Sequence, residues 1–399
     1  MLEVLFATVG GLAVGLALAS RPLRSWPLTE PLAALLLGVA LGPSVLGLVE
    51  LPAHAEAETL GLVAELVLAA SLMSVALRFP LETLRAHLVP VALLLTVGMV
   101  GMALVTAGLG VALGLPLAAA VLLGAVVAPT DPVLASSIVA GAPARRDLPL
   151  RLRAIISLES GANDGLALVI VLLALAFTQG APVGGAVLHA VSEVLVAVVV
   201  GAALGWLCGR LVVLSERHRD IEHSAFLALT LSVTACTYGV AKLVGGSAVV
   251  AVFAAGIAYA HGLSQAERAE EQEVQEAINQ YLVLPAFTLF GIALPWAAWG
   301  ALGWRGPALA VAVLVLRRVP LLLALGGLLR LSGPERVFAG WFGPIGVAAL
   351  FYLAEARLQG ALDASLWALG TLIIAASTLA HGVTAAPGRR LLAHREPST

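Results

Sequence analysis

Apolar residues in this chain come in long runs, with polar residues gathered in short clusters between them. Neither the two-residue alternation of a half-buried strand nor the narrow stripe of a soluble amphipathic helix describes such runs. As helices, stretches of about 20 apolar residues are long enough to cross the hydrocarbon core of a bilayer. Breaks at Gly, Pro and charge predict spans near residues 2–20, 29–49, 58–78, 88–113, 115–140, 152–177 and 184–213. Six more are predicted near 221–245, 247–262, 280–300, 306–329, 334–356 and 363–386. The expected fold class is an all-α membrane protein of about 13 transmembrane helices.

Composition narrows the picture. The 399 residues are 60% hydrophobic and 12% charged, with a mean hydropathy of +1.01, whereas soluble domains carry about 25% charged residues. Large soluble domains are excluded. A net charge of −2 without a long basic run leaves no footprint for nucleic acid. Cys208 and Cys236 lie in apolar stretches, which suits packing better than a disulfide framework or metal cluster. The run 2–20 lacks the basic leader of a signal peptide and reads as a retained first span. Seventeen of the 22 basic residues fall in alternate loops, from Arg21 and Arg24 through Arg217 and Arg219 to Arg389, Arg390 and Arg395. By the positive-inside rule this places the N-terminus outside and the C-terminus in the cytoplasm. The acidic stretch of Glu267, Glu270, Glu271, Glu273 and Glu276 then falls in a cytoplasmic loop, read as a solvated helix face or, more sharply, as a pH-sensing or gating element.

Polar groups at membrane depth need a partner or a function, because each costs at least ~2.5 to 3.5 kcal/mol to insert. In the fifth span, Pro129 and Pro132 bracket Thr130 and Asp131. Each proline removes a backbone donor, so the helix is expected to break there. The twelfth span carries Gly340, Gly343, Pro344 and Gly346 and is expected to break likewise. Two interrupted helices at corresponding positions point to an inverted-repeat carrier with its site at the midplane. In the sixth span Ser160, Asn163 and Asp164 share one helical face, with Glu159 a turn before Asn163. Their oxygens are hard donors of the kind that replace water around an alkali cation. Arg317 and Arg318 are adjacent in the eleventh span and point about 100° apart, so one is expected to pair with Glu159 and the other to snorkel to the interface. Glu30 and Glu65 are weaker candidates for an access path; His189, Glu193, His223 and His381 show no ligand spacing.

Together, Thr130-Asp131-Pro132, Glu159-Ser160-Gly161-x-Asn163-Asp164-Gly165, the arginine of the eleventh span and Gly340-Trp-Phe-Gly-Pro-x-Gly346 resemble the NhaP-type sodium/proton antiporters of the monovalent cation:proton antiporter superfamily. The likeness runs over nearly the whole chain. It implies a homodimer in the bacterial cytoplasmic membrane, serving pH homeostasis, that needs no cofactor and is not an enzyme. A dimerisation domain is implied over 1–83 and 181–303, an ion-transport core over 84–180 and 304–390, and a cytoplasmic tail over 391–399. The core is expected to carry the ion by an elevator-like movement. Asp164 is expected to bind cation and proton alternately, with Asp131, Ser160, Asn163 and the Thr130 region completing the ion site, and Glu159 to pair with Arg318, or failing that Arg317. The transported species are Na+, or K+ or Li+, against H+. Because Asn163 stands where electrogenic relatives have a second aspartate, electroneutral one-for-one exchange is implied. Ile345 replaces an arginine common among relatives. Two alternatives remain open: a K+/H+ antiporter or gated K+ efflux protein of the same superfamily and, remotely, an intramembrane aspartyl protease using Asp131 and Asp164.

Overall fold

The computed structural model describes residues 2–18, 28–52, 55–79, 81–218 and 228–395. Arg21, Arg24, Arg219 and His223 lie outside the described residues. Among those described, every regular element is a helix. Besides the short helices Leu81–Ala86, Gly141–Asp147 and Trp296–Ala301, they are in chain order α1 (Leu2–Leu18), α2 (Glu30–Leu41), α3 (Glu56–Arg78), α4 (Leu88–Ala112), α5 (Leu117–Val126), α6 (Pro132–Val139), α7 (Leu150–Gln179) and α8 (Val183–His218). There follow α9 (Leu229–Leu243), α10 (Ala248–Gly262), α11 (Gln265–Ile292), α12 (Arg305–Leu325), α13 (Gly333–Trp341), α14 (Val347–Leu358) and α15 (Ala364–Arg395). Six of them, α3, α4, α7, α8, α12 and α15, are by themselves long and apolar enough to cross a membrane.

The predicted interruptions fall where the prolines require them. Pro129 and Pro132 cannot donate to the carbonyls of Ala125 and Ala128, so α5 stops at Val126 and the chain restarts as α6 at Pro132. Pro344 likewise leaves Gly340 without a donor, and α13 and α14 are separated by residues 342–346. A third irregularity was not expected. Pro320 withholds the donor for the carbonyl of Leu316, and α12 loses its regular bonding at Arg317 and Arg318.

The acidic stretch is helical, as expected, and forms the first turns of α11, where Ser264 and Glu267 make a capping box: the Glu267 N–H donates to Ser264 Oγ, and Glu267 Oε2 accepts from the Ser264 N–H at 2.5 Å. Its face is not wholly solvated, contrary to expectation. Glu271 is fully buried and accepts the Tyr259 hydroxyl at 3.1 Å. Burial pushes its carboxyl, which precedes the predicted span at 280, up to about 7.

Several seams bring backbone against backbone, among them α5 on α4, where a Cβ on Gly124 would lie 2.4 Å from the Ala103 carbonyl oxygen. A Cβ on Gly201 or Gly205 of α8 would lie 2.1 Å from the carbonyl oxygen of Ala251 or Ala255 on α10. One on Gly38 of α2 would lie 2.0 Å from the Thr288 oxygen of α11. Only glycine permits such approach. By contrast α3 meets α14 and α7 through side chains, Gly61 against the Ala354 methyl and Gly161 against Val75.

Candidate ion-binding site at the crossing of the interrupted helices

The two interruptions dock on each other through Asp131. Its side chain caps α6: Oδ1 accepts from the N–H groups of Val133 at 2.7 Å and Leu134 at 2.9 Å. Oδ2 reaches across to the second interruption and accepts from the Ala348 N–H at 3.0 Å. The Asp131 backbone N–H donates to the Pro344 carbonyl at 2.9 Å. A Cβ on Gly346 would sit 2.7 Å from Oδ2, so the crossing needs glycine there.

α7 supplies the opposite wall. Glu159, Ser160, Asn163 and Asp164 are all at most 1% exposed. Asn163 Nδ2 donates to the Thr130 carbonyl at 3.1 Å and to Thr130 Oγ1 at 2.8 Å, and the Ser160 and Thr130 hydroxyls are 3.0 Å apart. The five predicted ligands thus form one cluster, but they are not equivalent. Asp131 already accepts three backbone N–H groups, whereas neither carboxylate oxygen of Asp164 has a hydrogen-bond partner, and Asn163 Oδ1 has none. Burying such acceptors without a donor is costly, so this spot calls for a proton or a cation. Asp131, held by backbone donors, is poorly placed to share a proton with Asp164 as a protease dyad would.

The arginines divide the remaining work. Arg318 makes a two-pronged ion pair with Glu159, Nη2 to Oε2 being 2.6 Å, and its Nε donates to the Ala339 carbonyl at 2.8 Å. Arg317 does not snorkel, contrary to expectation: it is 2% exposed. Its Nη1 donates to the Val127 carbonyl and approaches that of Ala128 at 3.3 Å, while Nη2 donates to the Gly343 carbonyl at 2.5 Å. The reason is local. The carbonyl ends of α5 and α13 carry partial negative charge, and a guanidinium fork spans both.

Of the weaker candidates, Glu30 lines a cavity of about 460 Å3 that opens beside the crossing, with Arg78, Ser136, Glu276, Asn279 and Arg389. In its wall Arg78 pairs with Glu276 at 2.8 Å. Glu65 does not line it; it pairs with Lys242 at 2.5 Å and accepts the Tyr238 hydroxyl at 3.0 Å. Among the described residues no group of three His, Cys, Asp or Glu is arranged to hold a metal ion.

Residues 4–388 match the family described as sodium/hydrogen exchanger, transmembrane. The chain belongs to this family. Exchangers are transporters rather than enzymes. Na(+)/H(+) antiporter 2 of Zygosaccharomyces rouxii is 33% identical over 244 residues, 58% of this chain and 30% of that protein. A probable Na(+)/H(+) antiporter of Schizosaccharomyces pombe is 31% identical over 242 residues, 58% of this chain and 32% of its own length. The chain thus matches about a third of the length of these yeast proteins. The sodium proton antiporter MjNhaP1 from Methanocaldococcus jannaschii shares the fold, with a TM-score of 0.75, 20% identity and 99% of each chain covered.

Sequence reasoning missed Tyr352 and Ser377, and named His381 only as a satisfied or interfacial residue. Tyr352 donates its hydroxyl to the Asp164 carbonyl at 2.7 Å. Ser377 accepts the Ile345 N–H at 2.7 Å, and His381 lies 2.8 Å from the Trp341 carbonyl. The spacing of four between Ser377 and His381, in an apolar helix, was the available signal.

Proposed function

We propose that this exchanger is a secondary antiporter that trades one monovalent cation, Na+ foremost, for one proton across the bacterial cytoplasmic membrane. The observation that carries the reading is the Asp164 carboxylate, buried with neither oxygen partnered. A buried carboxylate is neutralised by a proton or by a cation, not by both. If the core crosses only when neutralised, one site exchanges the two. Asn163 is a neutral amide tied to Thr130, so one carboxylate titrates per cycle and no net charge moves. Thr130, Ser160 and Asn163 lend further oxygens, and Asp131 shapes the site. The cavity beside Glu30 is the cytoplasmic approach. The core of residues 84–180 and 304–390 moves, elevator-like, against a dimerisation domain of 1–83 and 181–303 in a homodimer, with about thirteen spans in inverted repeats, the N-terminus outside and the C-terminus in the cytoplasm.

The test uses the chain in proteoliposomes with an internal pH dye. Addition of Na+, K+ or Li+ dequenches the dye in the parent, and Asp164→Asn abolishes the response while the protein stays folded. Residual exchange in Asp164→Asn sinks the assignment. A potassium-diffusion potential of either sign leaves sodium exchange unchanged, although voltage is worth ~2.3 kcal/mol per charge per 100 mV. A sodium-dependent current overturns one-for-one exchange, and a larger response to K+ makes potassium the substrate.

A further inference from the structure

α15 grips the second interruption on both of its lips. Downstream, the Ile345 N–H donates to Ser377 Oγ at 2.7 Å. That N–H belongs to the same planar peptide as the Pro344 carbonyl, which accepts the Asp131 N–H at 2.9 Å on its other edge. Turning the peptide at one edge therefore turns it at the other. Upstream, His381 Nε2 lies 2.8 Å from the Trp341 carbonyl. Nδ1 lies 2.8 Å from the Ser377 carbonyl and 3.1 Å from the Ser377 hydroxyl. Carbonyls only accept, so the imidazole directs an N–H at one of the two carbonyls it lies between, and Ser377 with His381 ties both lips to α15. Ser377 is 0% and His381 3% exposed, leaving no water to take over either bond.

We infer that Ser377 and His381 are positioning residues for cation binding, setting the Pro344–Ile345 peptide and through it Asp131 and the ion site. The inference rests on the exchange reading above. Neither side chain is required to touch the ion.

Sodium KM and kcat are measured for the full chain in proteoliposomes, with thermal midpoints in detergent as a check on folding. Ser377→Ala is expected to raise KM about tenfold, within the range for outer partners of an ion site, with kcat near the parent's. Ser377→Thr, which keeps the hydroxyl, brings KM back to within about threefold. His381→Leu raises KM less. A parental KM in folded Ser377→Ala or a loss confined to kcat overturns the inference. Should Ser377→Ala fail to fold, a parental KM in His381→Leu overturns it instead. A parent that exchanges no cation refutes the exchange reading, whereas a parent that exchanges sodium with Ser377→Ala unaltered refutes only this inference.

Discussion

The two interrupted spans meet at one crossing and do different jobs. Between α5 and α6 the chain offers side chains: Thr130 bonds the α7 cluster, and Asp131 caps α6 and reaches the second break. Between α13 and α14 it offers almost nothing but backbone: Phe342-Gly-Pro-Ile-Gly346 contains no ionisable group and contributes the Gly343 and Pro344 carbonyls, with the Ala348 N–H just beyond. The first break is therefore a place for chemistry, the second a mould that holds it. The pair is joined directly through Asp131 and again by the guanidinium of Arg317 on α12, which bonds carbonyls of both.

The largest effect expected is at the neighbouring ion pair. Arg318→Ala leaves Glu159 charged, buried and unpaired, and should cost about 3 to 5 kcal/mol of stability. Glu159→Ala should cost about as much, and the double variant less than the sum; two silent single variants in chemical denaturation would refute the pairing. Arg317→Lys keeps the charge but not the fork. An ammonium reaches the carbonyls of only one interruption, leaving one buried acceptor unmet at about 1 to 3 kcal/mol. Full retention of stability and exchange would show that the two breaks do not need a shared donor. Gly346→Ala presses a methyl against Asp131 Oδ2 and Leu134, 2.7 and 2.5 Å away. Overpacking of this kind costs about 1 to 3 kcal/mol, and sodium KM should rise. Gly327→Ala, with nothing within 4 Å, is the matched control. Equal behaviour of the two alanines would mean that the mould is not tight.

A last effect lies away from the crossing, at Glu271. Its folded carboxyl titrates at about 7, against about 4.3 in a free chain. The folded protein thus holds the extra proton between these values, and stability falls as pH rises through that window and stays lower above it. Glu271→Gln, permanently neutral, should flatten the fall of the thermal midpoint between pH 5 and pH 8. An unchanged slope would place the titration elsewhere.

Much of this was legible in the chain. Pro129, Pro132 and Pro344 announce their breaks because a missing N–H is a local fact. The shared face of Ser160, Asn163 and Asp164 follows from helical spacing alone. Arg317 was misjudged because its partners exist only once two helices, more than two hundred residues apart, have been broken and crossed. The helical face of the acidic stretch was legible, and Ser264 and Glu267 three residues apart are the capping signal that starts it. Glu271 was hidden by its neighbours, since four nearby glutamates made its face look wet.

The glycine seams have a mechanical consequence. A helix whose backbone touches its neighbour's carbonyls cannot shift by even one residue, about 1.5 Å of rise, without a methyl or carbonyl striking the contact. α8 with α10, and α2 with α11, are in that sense welded and travel as single struts. α3 meets α7 through the Val75 side chain and α14 through the small Ala354 methyl, so neither contact locks backbone to backbone and both can be remade at a new height. If one part of this molecule slides past another, α3 is the rail, and the welds fix which helices remain with it.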